Sequence, residues 1–191
     1  MSYVTIGRQE WLTENSKFTS FVNGDRIYHA KTKQEWYKAY VEKIPAYCFY
    51  ENKMNILEKH GFLYNGHVVD DPRGIGPQGW RIPSEADFKV LIEVLGGCYE
   101  AGHKMKFTES WFLEGNGSNQ SGWSARPGGS RNFLGDFSGF QSYCGWWTSS
   151  GGKKDNLFAT HVWLSASEKD ALFGTGPIAS GYYIRFVSDA F

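Results

Sequence analysis

The chain is poor in cysteine. Its 191 residues include only three, Cys48, Cys98 and Cys144, which lie far apart and show no CxxC spacing. Zinc sites and disulfide frameworks depend on closely spaced or paired cysteines, so neither is expected. One disulfide bond remains an alternative. The favoured interpretation is three buried thiols, because free cysteine is among the most buried residue types.

The chain has no excess of either charge and no long apolar run. Lys plus Arg and Asp plus Glu both number 20, so the net charge is zero. Without a global field, binding to nucleic acid or to an anionic membrane is not expected. No stretch approaches the roughly 20 apolar residues of a membrane span. The opening MSYVTIGRQEW has neither a basic region nor an apolar core, so no signal peptide is predicted.

Motifs that would identify an enzyme are also missing. Gly74, Gly76 and Gly79 satisfy GxGxxG, but Pro77 lies inside the motif and WRIPS follows it, which favours a loop over a dinucleotide site. The five histidines show no HExxH or HxH pairing. Cys144 lies in the hydrophobic stretch SYCGWW, a setting typical of packed thiols. The sequence therefore predicts no catalytic residues and a protein that is not an enzyme.

Aromatic residues and glycine are abundant instead. The chain is 17% aromatic and has eight tryptophans and 23 glycines, which favours a turn-rich β structure over a helical bundle. Most tryptophans sit beside apolar or turn-forming neighbours and are expected in the core. Phe158, Trp163 and Phe173 flank polar, Gly-rich segments and are expected to be partly exposed.

Two helices have complete start signals. Thr32 and Glu35 form a capping box ahead of WYKAYV. Ser84 is a good N-cap directly after Pro83. The apolar residues that follow it recur at helical spacing: Phe88, Leu91, Ile92 and Leu95. A shorter helix, closed by Gly61, is predicted for KMNILEKHG.

The second half of the chain has a different character. Residues 111–152 are rich in Gly, Ser and Asn with aromatics at regular intervals, which predicts a long ordered loop region, because disordered segments are poor in aromatics. Two strands are predicted after it, LFATHVWLSA and the closing GYYIRFVSDAF. With no internal repeat and no linker, residues 1–191 are predicted to form a single domain.

The stretch EGNGSNQSG supplies candidate oxygen ligands for one ion. Glu114, Asn116, Ser118 and Asn119 lie close together in it, and calcium prefers such ligands on loops. The alternative is that these residues only form turns, as Asn, Ser and Gly usually do. Calcium is therefore the only cofactor considered, and no other metal or cofactor is predicted.

Six residues are predicted to contact a ligand. They are chosen because they lie in or near the Gly-rich half and are polar or aromatic, as residues at recognition surfaces on ordered loops commonly are. The six are Arg131, Asn132, Phe133, Asp136, Trp163 and Phe173.

Taken in order, several motifs resemble the Fibrobacter succinogenes major paralogous domain family of Bacteroidetes and related bacteria. These are VTIGRQEWLTEN, GFLYNG, GWRIPSEADFKVLIEVLGG, SGWSARPGGSRNFLGDFSGFQSYCGWWTSS and GYYIRFV, from about Val4 to Val187. More distantly they are similar to the formylglycine-generating, sulfatase-modifying enzymes. The resemblance implies an α+β, C-type-lectin-like fold in which two helices brace small antiparallel sheets beside a long irregular loop region.

The resemblance implies binding and not catalysis. The formylglycine enzymes use a pair of late cysteines, whereas Cys144 stands alone late in this chain, and Arg131 replaces the aromatic residue expected after the GGS turn. The predicted function is a non-catalytic adhesion module that recognises a glycan or a cell-surface protein. The alternative is a structural or receptor-binding subunit of a phage tail or contractile injection particle, which contacts other subunits and acts outside the cell within a particle or virion. A sulfatase-modifier-like oxidase is the third hypothesis.

Overall fold

The computed structural model describes residues 1–150 and 157–189. Five α-helices and one 3-10 helix, Tyr50–Asn52, occur in these ranges. The α-helices are α1 Lys33–Val41, α2 Met54–His60, α3 Gly66–Val69, α4 Glu85–Val94 and α5 Cys98–Met105. The strands are β1 Tyr3–Ile6, β2 Gln9–Leu12, β3 Tyr28–His29, β4 Ala46–Cys48, β5 Leu63–Tyr64, β6 Gly128–Arg131, β7 Phe137–Phe140, β8 Tyr143–Trp147, β9 Phe158–Ser165, β10 Leu172–Pro177 and β11 Val187–Asp189.

The strands form three sheets. Their orders are β1-β2-β11, β3-β4-β5 and β10-β9-β8-β6-β7. The first sheet joins the two ends of the described chain, because β11 pairs antiparallel with β2. Sheet β1-β2-β11 is antiparallel throughout, as the resemblance implies. The other two sheets are mixed, because β3–β4 and β6–β8 are parallel, and for these two the prediction of antiparallel sheets was wrong.

The segment 181–184 connects two of the sheets. Tyr182 forms an isolated bridge with Tyr64 of β5, and Tyr183 forms one with Trp146 of β8. Apolar side chains gather in two clusters. One surrounds Trp11, Trp123 and Trp146, and the other surrounds Tyr64, Trp147 and Phe186.

The predicted helices α1, α2 and α4 are confirmed, and α1 and α4 have the predicted caps. Thr32 accepts a hydrogen bond from the Glu35 amide in a capping box. The Ser84 hydroxyl accepts a hydrogen bond from the Asp87 amide, and the Asp87 carboxylate accepts one from the Ser84 amide. These reciprocal bonds satisfy amide donors that a helix start leaves without partners. The apolar stripe of α4 is buried in the first cluster.

Several elements were not predicted, among them helices α3 and α5 and strand β10, and one strand was predicted too long. The closing strand spans only Val187–Asp189, because residues 181–183 form isolated bridges instead. Ala190 and Phe191 lie outside the described residues. An α+β fold is confirmed, with five α-helices in the described ranges where the resemblance implies two bracing helices. None of the helices in the described ranges combines the length and apolar character that crossing a bilayer requires.

The glycine-rich segment, residues 106–150, is ordered by backbone hydrogen bonds to α5. The Ser118 amide donates to the His103 carbonyl at 2.9 Å, and the Ala125 amide donates to the Met105 carbonyl at 2.8 Å. Gly117 packs so closely on this helix end that a Cβ there would lie 2.3 Å from the Lys106 oxygen. The glycine-rich segment contains residues 111–150 of the predicted ordered loop region, whose last two residues, Gly151 and Gly152, lie outside the described residues. The segment follows one defined path, as predicted, although strands β6, β7 and β8 occupy part of it.

Three buried cations hold this segment to the rest of the molecule. The side chains of Lys106, Arg131 and Arg185 are only 2%, 1% and 2% exposed. None of them has a described carboxylate within 4.0 Å. Each lies over a tryptophan ring instead: Lys106 over Trp111, Arg131 over Trp36 and Arg185 over Trp123. Cation–π contacts of this kind strengthen when they are removed from water.

The same cations also donate hydrogen bonds to buried oxygens of the surrounding chain, most of them backbone carbonyls. Lys106 Nζ bonds the carbonyls of Ser165 and Glu168 at 3.0 and 2.7 Å. Arg185 bonds the Trp123 carbonyl and, through Nε and Nη2, the Asn15 amide oxygen. Because buried carbonyls need a donor, these side chains replace the ladder that a regular strand would provide.

Candidate functional site

Five aromatic side chains form a layer on one face of the β8–β9 pair, called here the aromatic face. Its members are Tyr143, Trp147, His161, Trp163 and Tyr182. The rings of Tyr143 and Trp163 stack at 5.9 Å, and those of His161 and Tyr182 stack at 4.3 Å. Trp147 meets Tyr182 edge-on at 4.7 Å. Strand register produces the layer, because Trp147 pairs with His161 and Gly145 pairs with Trp163.

Three glycines form the floor of the aromatic face. Gly145 lies on β8, and Gly174 and Gly176 lie on β10. A Cβ at Gly145 would be 2.9 Å from the Tyr182 ring, and one at Gly174 would be 3.1 Å from His161 and 3.3 Å from Trp163. The rings can therefore approach the sheet this closely only because these positions have no side chain.

The aromatic face is buried at one end and partly open at the other. Trp147 and His161 are buried, whereas Tyr143, Trp163 and Tyr182 are half-buried. Burial lowers the pKa of His161 to about 4 and, together with the neighbouring Tyr182, raises the pKa of Tyr143. The histidine and these tyrosines are therefore neutral at pH 7, and the open end is an uncharged surface with two rings facing each other.

A strained loop lies at the Tyr143 end of the face. Ser110, Leu113 and Glu114 have φ angles of 78°, 49° and 59°, a region that non-glycine residues rarely occupy. Phe112 is 55% exposed and Leu113 is 81% exposed. The loop is anchored beside the face, because the Phe112 amide donates to the Gln141 carbonyl at 2.8 Å. Backbone strain that persists with exposed apolar side chains is a feature of contact loops.

The six predicted contact residues do not form one site. Trp163 belongs to the open end of the aromatic face. Phe173 is on β10 but packs against the first apolar cluster, with the Lys89 ammonium 5.8 Å from its ring centroid. Trp163 and Phe173 therefore lie on different surfaces, although they are only ten residues apart in the sequence.

Three other predicted residues lie together in the β6–β7 turn. Asn132 accepts a hydrogen bond from the Asp136 amide, and the Asp136 carboxylate pairs with Lys33 of α1 at 2.5 Å. The Phe133 ring meets Tyr40 of α1 edge-on at 5.6 Å. The turn is thus docked on α1, at a place separate from the aromatic face.

Arg131 is a correction. It was predicted as a ligand contact, but it is buried, and its guanidinium donates to the carbonyls of Gly135 and Ala30 at 3.0 and 2.9 Å. The guanidinium also lies over the rings of Trp36 and Phe137. Its position in the Gly-rich half and its polar side chain suggested a ligand contact, whereas the backbone around it supplies the acceptors that a buried donor needs.

The candidate calcium ligands are engaged within their own loop. Asn116 accepts from the Trp111 amide at 3.0 Å, and Asn119 accepts from the Ser124 amide at 2.8 Å. Glu114 and Ser118 are exposed. In residues 1–150 and 157–189 no group of three or more His, Cys, Asp and Glu side chains is placed to hold a metal ion. Calcium binding stays a prediction.

All three cysteines are free thiols. Cys48 and Cys144 are buried as predicted, but Cys98 is only half-buried. Burial raises the pKa of Cys48 to about 11 and that of Cys144 to about 12. Both are therefore protonated at neutral pH, and a protonated thiol is a poor nucleophile.

The sequence interpretation missed Tyr143, Tyr182, Phe112 and Leu113. For part of this set a signal existed, since Tyr143, Gly145 and Trp147 alternate, as do His161 and Trp163, and a period of two places them on one face of a strand. The register that joins the two strands, and the segment that brings in Tyr182, depend on tertiary structure.

The family comparison covers almost the whole chain. A family model described as the Fibrobacter succinogenes major domain matches residues 4–188. No curated protein and no solved structure gave a significant match. The distant similarity to the formylglycine enzymes therefore stays a prediction.

Proposed function

The chain belongs to the Fibrobacter succinogenes major domain family, and from this premise we propose that it is a non-catalytic binding domain that recognises a glycan through the open end of its aromatic face. The observation that carries the proposal is the stacked, half-buried Tyr143–Trp163 pair on its glycine floor.

The chemistry of the face suits a sugar ring. A pyranose presents a flat patch of C–H groups, which packs on the electron-rich face of an aromatic ring. The tyrosine hydroxyl and the indole N–H can exchange hydrogen bonds with sugar hydroxyls. Because sheet register and the stacked neighbour hold the rings in place, little conformational entropy remains to be lost on binding.

The neighbouring loop extends this surface. Phe112 and Leu113 are exposed, and the Phe112 amide donates to the carbonyl of Gln141, two residues before Tyr143, which makes them candidates for additional apolar contact area. If the ligand is a cell-surface protein that carries the glycan, the protein would contact these apolar loop residues.

The thiols support a binding role over an oxidase role. A sulfatase-modifier-like oxidation needs reactive cysteines, but the pKa values of Cys48 and Cys144 are raised by burial to about 11 and about 12. Substitution Cys144→Ala should leave any oxidation assay unchanged. Oxidase activity that disappears with this variant would support the enzyme hypothesis instead.

A C-type-lectin-like arrangement is part of the proposal. It is supported by the pairing of β2 with β11, which joins the chain ends, and by the capped helices α1 and α4. An experimental structure compared with known lectin-like domains would test it.

The binding test uses two matched variants. Trp163→Ala removes the half-buried ring of the open end, and Trp80→Ala removes a half-buried ring that instead contacts Tyr3. On a glycan array we expect Trp163→Ala to weaken binding of the recognised glycan about tenfold or more, since stacked aromatic contacts dominate such sites. Trp80→Ala should bind normally. Equal binding by both variants, or no glycan bound by the folded protein, would contradict the proposal.

One observation favours the second candidate function, a subunit of an extracellular particle. Tyr37, Val41 and Leu134 are exposed side by side along α1 and the β6–β7 turn, and they border a groove of about 560 Å³. Apolar side chains exposed together often mark contacts with other proteins. Sedimentation analysis tests this candidate function. A particle subunit should self-associate or form a stable complex with another subunit, and Val41→Glu should disrupt that association.

A further inference from the structure

Separate from the aromatic face, a cavity of about 790 Å³ opens beside the edge strand β3. Arg26 and Lys31 are its cationic lining residues, with His29 and Tyr47 in the same wall. The rings of His29 and Tyr47 stack at 4.6 Å and 12°. The cavity thus combines two exposed cations with a fixed pair of rings.

The two cations lack partners among the described residues. Neither Arg26 nor Lys31 has a described carboxylate within 4.0 Å. The carboxylate next to Arg26 in sequence, Asp25, is held by Arg73 at 3.0 Å and by Asn23 at 2.9 Å. The one acidic lining residue, Glu35, accepts from the Thr32 amide at 2.8 Å within the capping box of α1. The lining therefore keeps a formal charge of +1.

The backbone that presents these groups is fixed in advance. Arg26 ends a tight turn closed by its bridge to Ser20 and by the Phe21 amide, which donates to the Asp25 carbonyl at 2.9 Å. The Lys31 carbonyl accepts from the Asn52 side chain at 2.6 Å. Fixing the backbone at both positions reduces the conformational entropy that is lost when an anion binds.

His29 adds an unpaired polar atom. Its Nε2 is buried and has no hydrogen-bond partner within the described parts of the chain. Buried polar atoms are almost always paired, with protein, water or ligand. The hydroxyls of Tyr28 and Tyr47 also belong to lining residues and can donate to an oxygen.

We propose that this cavity is an oxyanion-binding site in which Arg26 and Lys31 hold a carboxylate or sulfate group against the His29–Tyr47 ring pair. Guanidinium and ammonium groups form charge-assisted hydrogen bonds with such anions. The oxyanion can come from an acidic sugar or from an inorganic ion. This site is independent of glycan binding at the aromatic face.

The test is an NMR titration of the full chain with three probes, monitored at the His29 ring signals. Glucuronate represents an acidic sugar, sodium sulfate the inorganic ion, and glucose a neutral control. We expect saturable shifts with glucuronate or sulfate and none with glucose. Glucuronate alone would assign the site to an acidic sugar, and equal binding of both anions would assign it to the oxyanion itself. Shifts with glucose of the same size would overturn the proposal.

Two double variants with equal charge change complete the test. Arg26→Gln with Lys31→Gln neutralises the cavity, whereas Arg8→Gln with Lys59→Gln neutralises two exposed cations that do not line it. All four positions are on the surface, so both proteins should fold. We expect the cavity variant to bind the active anion about tenfold more weakly than the control variant. Equal affinities in the two variants would contradict the site.

Discussion

Helix α4 and the glycine-rich segment both satisfy their backbone polar groups, but they use different partners. At the start of α4 the partner is a carboxylate: Asp87 accepts hydrogen bonds from the Ser84 amide and hydroxyl and from Arg81. In and around the glycine-rich segment the partners are buried cations, which donate hydrogen bonds to backbone carbonyls. Free amides at a helix start need an acceptor, whereas unpaired carbonyls of irregular backbone need a donor.

The difference teaches where each region is vulnerable. The helix start depends on a carboxylate and is sensitive to acid. The glycine-rich segment depends on guanidinium and ammonium groups, which have no described carboxylate partner and stay charged in acid. It is sensitive instead to the loss of a single buried donor. Substitutions and pH can therefore separate the two regions.

The largest effect is expected from Arg185→Met. Methionine preserves the packing on Trp123, but it leaves the Trp123 carbonyl without its described donor. It also removes both Arg185 bonds to the Asn15 amide oxygen, which keeps the bond from Trp146 Nε1. An unpaired buried acceptor costs about 1–3 kcal/mol and a hydrogen bond from a charged group contributes about 1.5–3 kcal/mol, so the free energy of unfolding should fall by about 3 kcal/mol or more in urea denaturation. Arg8→Met, at an exposed turn, is the control and should change stability by less than about 0.5 kcal/mol. Similar stabilities for both variants would refute the role of the buried cation.

A smaller effect is expected from Asp87→Asn. Burial opposes the charge of Asp87, but hydrogen bonds from Arg81 and Ser84 outweigh it and lower its pKa to about 2. The change weakens the cap and the contact with Arg81. Since Arg81 is partly exposed, we expect a loss of about 2 kcal/mol in urea denaturation at pH 7.

The same residue predicts a pH dependence. The folded pKa lies below the unfolded value of about 3.9, so the contribution of Asp87 is complete above that value and is lost as the pH falls towards 2. Urea denaturation of wild type and Asp87→Asn at several pH values should show stabilities that converge in acid. A constant difference between the two proteins from pH 6 to pH 2 would contradict the assignment.

The smallest effect is expected from calcium. Since Asn116 and Asn119 already accept backbone hydrogen bonds, roughly millimolar calcium should leave the melting temperature within about 1 °C of its value in chelator. Calcium bound to the folded state alone would raise it progressively with concentration. Such a rise, removed by Glu114→Gln, would show that the loop rearranges to bind the ion.

The regular parts of the fold could be predicted because their signals are local. Capping boxes at Thr32 and Ser84 and the stripe of α4 are properties of neighbouring residues. Helix α5 has no such signal, since it packs through small residues: a Cβ at Gly102 would meet the Asp170 carbonyl at 2.2 Å. Strand β10 contains glycines for the same reason, to make room for rings from β9 and segment 181–184.

The candidate site could be predicted only in part. Trp163 was found because an aromatic residue in a polar, Gly-rich setting suggests exposure. Arg131 was misplaced because its environment consists of carbonyls from Ala30 and Gly135, one of them far away in sequence. The stacked partner Tyr143 is set by strand register, which hydrophobic pattern alone specifies weakly in Gly-rich strands.

The most direct test of the account is native-state hydrogen exchange across the glycine-rich segment. The glycine-rich segment is a rigid part of the fold that supports the contact surface. The amides of Phe107, Ser118, Asn119 and Ala125, which donate to backbone carbonyls, should exchange at least about a hundredfold more slowly than in an unfolded chain. Exchange of these amides at the unfolded-chain rate, while those of α4 stay protected, would contradict the account.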